Sequence, residues 1–362
     1  DIKLTLTCMI SHLPISPRRA MTPRIPDTAP TNTTLMTLLD SNLHLPPEYR
    51  DQLTNHLPMA LHALFSLGAS SQRMVGFYAS YSKRFQDTGA PSVTPMAPEP
   101  PSDWRALRGQ SDSYPALWRH FHDAVACDGA HTTLRESLPD LMPGVAAAAL
   151  HGVIRTAHAV ESGHAGELAE ALAYWAWRWQ ALAKPTMAVP SLGFGAWSAR
   201  LVQEAPSWHT EGPLISIRMH QACQSAVYQA LAGALQLAPD LGTRIRELAG
   251  LAVEFYCASP NFTILHTITG LRALRTLLPW LESSEEAQAI LAQNFVAAYL
   301  AARVVPSSSV ELITPERSWE DVAAAAVASD DDHIIKLVQA CRAEAQVYGQ
   351  GRYLRAASLA TR

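Results

Sequence analysis

The chain has 362 residues, of which 48% are hydrophobic and 17% charged, so it can bury a large core under a lightly charged surface. Its 28 basic and 32 acidic residues leave a formal charge of −4, and no Lys/Arg run exceeds two residues, which argues against general nucleic-acid binding. No uninterrupted apolar run reaches membrane-spanning length.

Residues 1–35 read as a poorly ordered N-terminal leader, with Met21 or Met36 as natural starts, and 36–362 as one helical domain. Five cysteines (Cys8, Cys127, Cys223, Cys257, Cys341) are widely spaced and form no CxxC pair, which fits buried free thiols in a reducing cytoplasm. Ala and Leu dominate, alternating strands are nearly absent, and helical periodicity recurs, so the fold class is all-α, a single-domain multi-helix bundle. Pro46-Pro47 opens a short segment through Tyr49 and Leu53. A helix starts near Pro58 and stops at Gly68, and another covers 71–86. The proline-rich stretch from Gly89 to Trp104 is an extended loop. Helices follow near 114–127, 131–138, 142–160 and 165–183. An irregular stretch, 184–213, precedes helices near 214–236, 241–257, 261–280 and 284–303. The last two lie near 318–328 and 331–347, the latter opening on three aspartates that suit a helix N-terminus. There is no repeat, no G-x-G-x-x-G, no G-x-S-x-G and no P-loop, so a reductant such as NADPH has no recognisable fingerprint.

The chemistry-bearing residues are histidines in apolar, helical contexts, where a polar ring is costly to bury without a partner. His56 stands before Pro58 and, taken alone, reads as readily as a turn or cap residue. His62 lies six residues on, about 240° round a helix, and reads as structural. His151 and His158 share a face but stand about 10.5 Å apart along the axis, so one metal reaches both only at the limit of side-chain length. One is then the ligand, and the other orients it or meets the substrate. Arg155, on the same side, is placed to pair with a substrate anion. His266 has Gly270 on its next turn, which allows close approach of a ligand or a helix. His333 and Lys336, at i and i+3, share a face. Each is also explained as a satisfied core histidine or, for 333 and 336, as a solvated helix start with an Asp–Lys pair. A desolvated lysine loses its proton more readily, and the neutral amine can add CO2 to give an anionic carbamate ligand. His220, inside an apolar helix, is the best remaining histidine for a role beside such a site.

The ordered set Asn55-His56-x-Pro58-Met59, His151-Gly-x-Ile-Arg155-x-x-His158-Ala, His266-x-x-Thr269 with Ala273-Leu-Arg275, and Asp332-His333-x-x-Lys336 resembles the questin oxidase-like family over about residues 36–350. Fungal members of that family open the central quinone ring of anthraquinones in polyketide pathways, with a Baeyer–Villiger-like outcome, and the family includes non-haem iron enzymes with histidine ligands and a carboxylated lysine. The resemblance implies an Fe(II)-dependent oxygenase whose partners are a small aromatic substrate and dioxygen. It implies that His56, one or both of His151 and His158, His266 and His333 bind the iron between helices, and that Lys336, as a carbamate, completes the site. Lys336 and His158 are then the catalytic candidates, with Arg155 and His220 toward the substrate and His158 or His220 moving a proton. The chain is shorter than the fungal members, which points to 91–104 and 184–213 as substrate loops. Two rivals use the same residues: a zinc or dinuclear metal hydrolase, and a non-catalytic helical binding protein. No feature specifies an oligomeric state.

Overall fold

The structure is a computed structural model that describes residues 32–50, 52–86, 103–186, 189–304 and 317–362. Residues 1–31 of the expected leader, and all but the last two residues of the 91–104 loop, lie outside the described residues. Asn32 to Leu35, placed in the leader from sequence, instead open a helix in which Thr34 and Leu35 are buried.

Fifteen α-helices and one small hairpin make up the described chain. They are α1 (Asn32–Asn42), the strands β1 (Glu48–Tyr49) and β2 (Leu53–Thr54), α2 (Leu57–Ser66), α3 (Ser71–Tyr81), α4 (Tyr114–Leu141), α5 (His151–Ser162), α6 (Ala165–Trp177), α7 (Phe194–Glu204), α8 (Ile215–Ala222), α9 (Ala226–Leu231), α10 (Leu241–Ala258), α11 (Phe262–Leu277), α12 (Glu285–Ala302), α13 (Trp319–Ala328), α14 (Asp332–Tyr348) and α15 (Gln350–Ala360). The strands pair antiparallel, Glu48 opposite Thr54. No helix among the described residues is long and apolar enough to cross a membrane.

Polar caps set the helix starts that matter most here. The Asn261 side chain accepts from the backbone N–H groups of Thr263 and Ile264, and Asp331 accepts from that of His333. These caps fix the first turns of α11 and α14, which carry His266, His333 and Lys336. Several expected boundaries move for identifiable reasons. The segments 114–127 and 131–138 form one element bent at Gly129, whose φ of 79° breaks the helix. The expected 142–160 helix is divided because Ala148, Ala149 and Leu150 all adopt left-handed φ (47°, 56° and 71°). Ser225 caps Tyr228 and splits 214–236 into α8 and α9. The irregular 184–213 stretch contains α7, which buries Trp197 and Leu201. Cys223, Cys257 and Cys341 are buried and unpaired, whereas Cys127 is exposed.

Four helices position the histidines. α2 packs on α5 and on α14, and α11 packs on α5 and on α14, so the four close a ring. Two glycines allow the close approach. A Cβ on Gly152 would stand 2.6 Å from the Trp175 ring, and one on Gly270 would stand 2.8 Å from Leu150. The neighbour that Gly270 admits is thus a side chain of the protein itself.

Candidate metal centre

Four imidazoles converge at one end of this ring, one each from the start of α2 (His56), α5 (His151), α11 (His266) and α14 (His333). His56 stacks on His151 with ring centroids 4.4 Å apart and meets His333 edge-on at 4.7 Å. His266 stands 4.9 Å from His151 and 5.3 Å from His333. All four line a cavity of about 230 Å³.

The tautomers follow from the partners. A carbonyl or carboxylate oxygen only accepts, so a ring nitrogen bonded to one carries the proton. His266 Nδ1 donates to the Phe262 carbonyl at 2.7 Å, and His151 Nδ1 donates to the Ala148 carbonyl. His56 Nδ1 donates to Asp332 Oδ2. His333 Nδ1 lies 3.4 Å from both Asp331 Oδ1 and Asp332 Oδ2. Every Nδ1 therefore faces an oxygen, and the Nε2 lone pairs are left for a ligand. His151 Nε2 is buried without a protein partner. Burial, the largest cause in each case, pushes His56 down to about 3 and holds His151 and His266 well below the usual imidazole range. These three rings are neutral donors at any ordinary pH.

Lys336 and Asp332 lie beneath the rings. Lys336 is 3% exposed, and its Nζ stands 3.5 Å from Asp332 Oδ2. Burial lowers the Lys336 pKa against the pull of Asp332, which moves the amine toward its nucleophilic neutral form. Burial alone would raise Asp332, but His56 and Lys336 outweigh it and keep the carboxylate ionised. Arg84 adds a contact at 3.4 Å to Asp332 Oδ1. The Tyr81 hydroxyl accepts from the His56 backbone N–H at 3.0 Å, which fixes the N-cap of α2. The donor atoms of His56, Asp332 and His333 also lie within 4.8 Å of one another. That alternative set would have to displace the His56 proton and Lys336 from Asp332, so the Nε2 side is the better-prepared face.

The remaining sequence candidates stand elsewhere. His158 is one step deeper in the ring, with its Nδ1 2.8 Å from Nδ1 of His62. Arg155 is 2% exposed and grips Glu167 through Nε and Nη2, at 2.5 and 2.9 Å, with Glu170 4.0 Å away. It does not line the cavity. Nor does His220, whose Nδ1 donates to Ser216 O at 2.8 Å. The residues that sequence reasoning missed are Asp332, Phe262 and the Ala148 carbonyl. Only Asp332 had a signal, as the first residue of Asp-His-x-x-Lys and an i,i+4 partner of Lys336. A larger cavity of about 370 Å³ between Lys184, Arg244 and Gln293 contains no histidine.

A sequence model of the questin oxidase-like family matches residues 53–341, a span that contains all four imidazoles and Lys336. The chain belongs to the questin oxidase-like family. No curated protein matches it. Membership implies an oxidoreductase acting on a small molecule. The cavity of about 230 Å³ opens directly beside the four imidazoles. Leu53, Ala148, Ala149, Leu214, Ile215 and Phe262 form apolar walls around the imidazoles, while Arg178 and Gln52 stand among the polar lining groups.

Proposed function

We propose that this chain is a non-haem Fe(II)-dependent oxygenase that oxidatively opens a ring of a polycyclic aromatic or quinone substrate. The observation that carries the reading is the convergence of four histidines from four elements, three with Nδ1 hydrogen-bonded to an oxygen and His333 with Nδ1 3.4 Å from two carboxylates. Imidazole donors oriented by such outer partners suit a divalent transition metal. The orphaned Nε2 of His151 is the group most in need of one. His56, His151, His266 and His333 would hold the iron, with Lys336 as a carbamate completing the set. The bound metal would supply the redox chemistry that activates dioxygen.

The chain's own residues do the rest. Asp332 keeps His56 in one tautomer and remains the partner of Lys336, because a carbamate N–H still donates to it. Phe262 packs edge-on against His266 at 4.7 Å and beside His333 at 4.6 Å, so it fixes both rings and offers a flat apolar wall. The cavity is small by the standard of drug-sized sites, which favours a compact planar ligand. Its apolar walls keep water from the reacting ring.

The test is metal analysis of anaerobically purified protein. About one iron per chain, lost in His266→Ala and in His333→Ala, is the expected result. No stoichiometric iron after Fe(II) is offered would overturn the reading.

A further inference from the structure

We propose that His62, His158 and Glu161 form a second metal site, separate from the four-histidine centre, that takes Zn2+. The proposal does not depend on iron in the first centre.

His62 comes from α2, and His158 and Glu161 lie one turn apart on α5. One donor atom from each lies within 4.8 Å of the other two. The two Nδ1 atoms face each other at 2.8 Å, and Glu161 Oε2 is 3.9 Å from His62 Nδ1. Both imidazoles are buried, at 5% and 4% exposure. Burial pushes His62 down to about 4 and His158 well below its usual range, so both rings are neutral ligands. Two neutral rings meeting Nδ1 to Nδ1 can share only one proton between them. A metal ion satisfies both lone pairs at once.

Glu161 is braced as a ligand carboxylate is braced. Arg272 donates to its Oε2, and Thr276 Oγ1 donates to its Oε1 at 3.2 Å. Arg272 is 2% exposed, yet its Nε and Nη1 have no partner. These are donors that a zinc-bound water or anion would occupy. Two imidazoles and one carboxylate with an open position is a familiar zinc donor set.

The site is not half of a dinuclear centre. His151 and His158 are seven residues apart on α5, about 10.5 Å of helical rise. Paired metals that share ligands sit only about 3.5–4 Å apart. Zinc here would instead staple α2 to α5, the two elements that also carry His56 and His151, and so hold the first centre's ligands from behind.

The experiment titrates the chelator-stripped full chain with Zn2+, and with Co2+ as a spectroscopic substitute. The double variant His266→Ala/His333→Ala should still bind one Zn2+, and its melting temperature should rise with zinc. Added to that double variant, His158→Gln should lose this site, with affinity falling at least tenfold. Glu161→Gln, at the partly exposed end, should weaken it similarly and covers the case in which His158→Gln does not fold. Zinc affinity left at the double variant's level by both added substitutions would overturn the proposal. So would a folded double variant that takes up no Zn2+, which would leave the His62–His158 contact as a plain hydrogen bond. Loss of the iron reading leaves these outcomes unchanged, because they are read in the double variant.

Discussion

His56 donates its Nδ1 proton to Asp332, a carboxylate 276 residues further along the chain. The same Oδ2 faces Lys336 on the next turn of α14. One carboxylate thus orients an imidazole from α2 and a lysine from α14 together.

Removing that charge should loosen the centre without unfolding it. Asp332→Asn is expected to lower metal affinity by about 10–100-fold, the usual effect of deleting an outer partner of a ligand. Circular dichroism should stay unchanged. Wild-type affinity in a metal titration would show that Asp332 does not orient the ligands.

The carbamate proposed on Lys336 would make metal loading depend on CO2. Apoprotein reconstituted in CO2-free buffer should load poorly, and bicarbonate should restore loading. Labelled bicarbonate should give a carbamate carbonyl resonance that Lys336→Met lacks. Full loading of the methionine variant would remove the lysine from the site.

The expectation that Arg155 meets substrate has a structural competitor. Its guanidinium is committed to Glu167, with Glu170 close by, all in the interior. Arg155→Met strands two buried carboxylates and should cost about 3–5 kcal/mol in urea unfolding. Metal stoichiometry should be unchanged. A stable variant with altered substrate binding would restore the substrate role.

Acid should destabilise the metal-free protein early. His56 and His62 sit at about 3 and 4, and His151, His158 and His266 lie well below their usual range. In the unfolded chain these rings titrate near pH 6.5. Below about that pH the unfolded state binds protons that the folded state refuses, so stability falls as pH falls. The penalty is absent above pH 6.5 and grows until the folded values are reached, by up to about 1.4 kcal/mol per pH unit for each ring. Urea midpoints measured from pH 7 to 4 should decline steeply. A flat profile would mean that the rings are not buried in neutral form.

Helices and their approximate ends were legible because caps and periodicity are local. The hairpin at Glu48 to Thr54 was not, since two-residue strands carry no periodicity. The left-handed run at 148–150 was not either, because three ordinary residues with positive φ leave no mark in composition. For the site, the histidine contexts were legible one by one, but their convergence is a tertiary fact. The angular argument treated His62 as structural by asking whether it shared a face with His56. It could not show that His62 meets His158 on the facing helix. Conversely, the 10.5 Å separation of His151 and His158 already indicated that one metal would not take both. The structure places only His151 beside His56, His266 and His333.

The left-handed run also limits how the cavity can vary. Ala148 and Ala149 line the cavity, and the Ala148 carbonyl holds the His151 ring. Larger or branched side chains are disfavoured at such angles. That wall is therefore nearly fixed in shape, and any change there would disturb the His151 ring as well. The wall residues Leu53, Leu214 and Ile215 carry no such duty. Family members that take bulkier or slimmer molecules would differ at those residues, and engineering of selectivity should begin there.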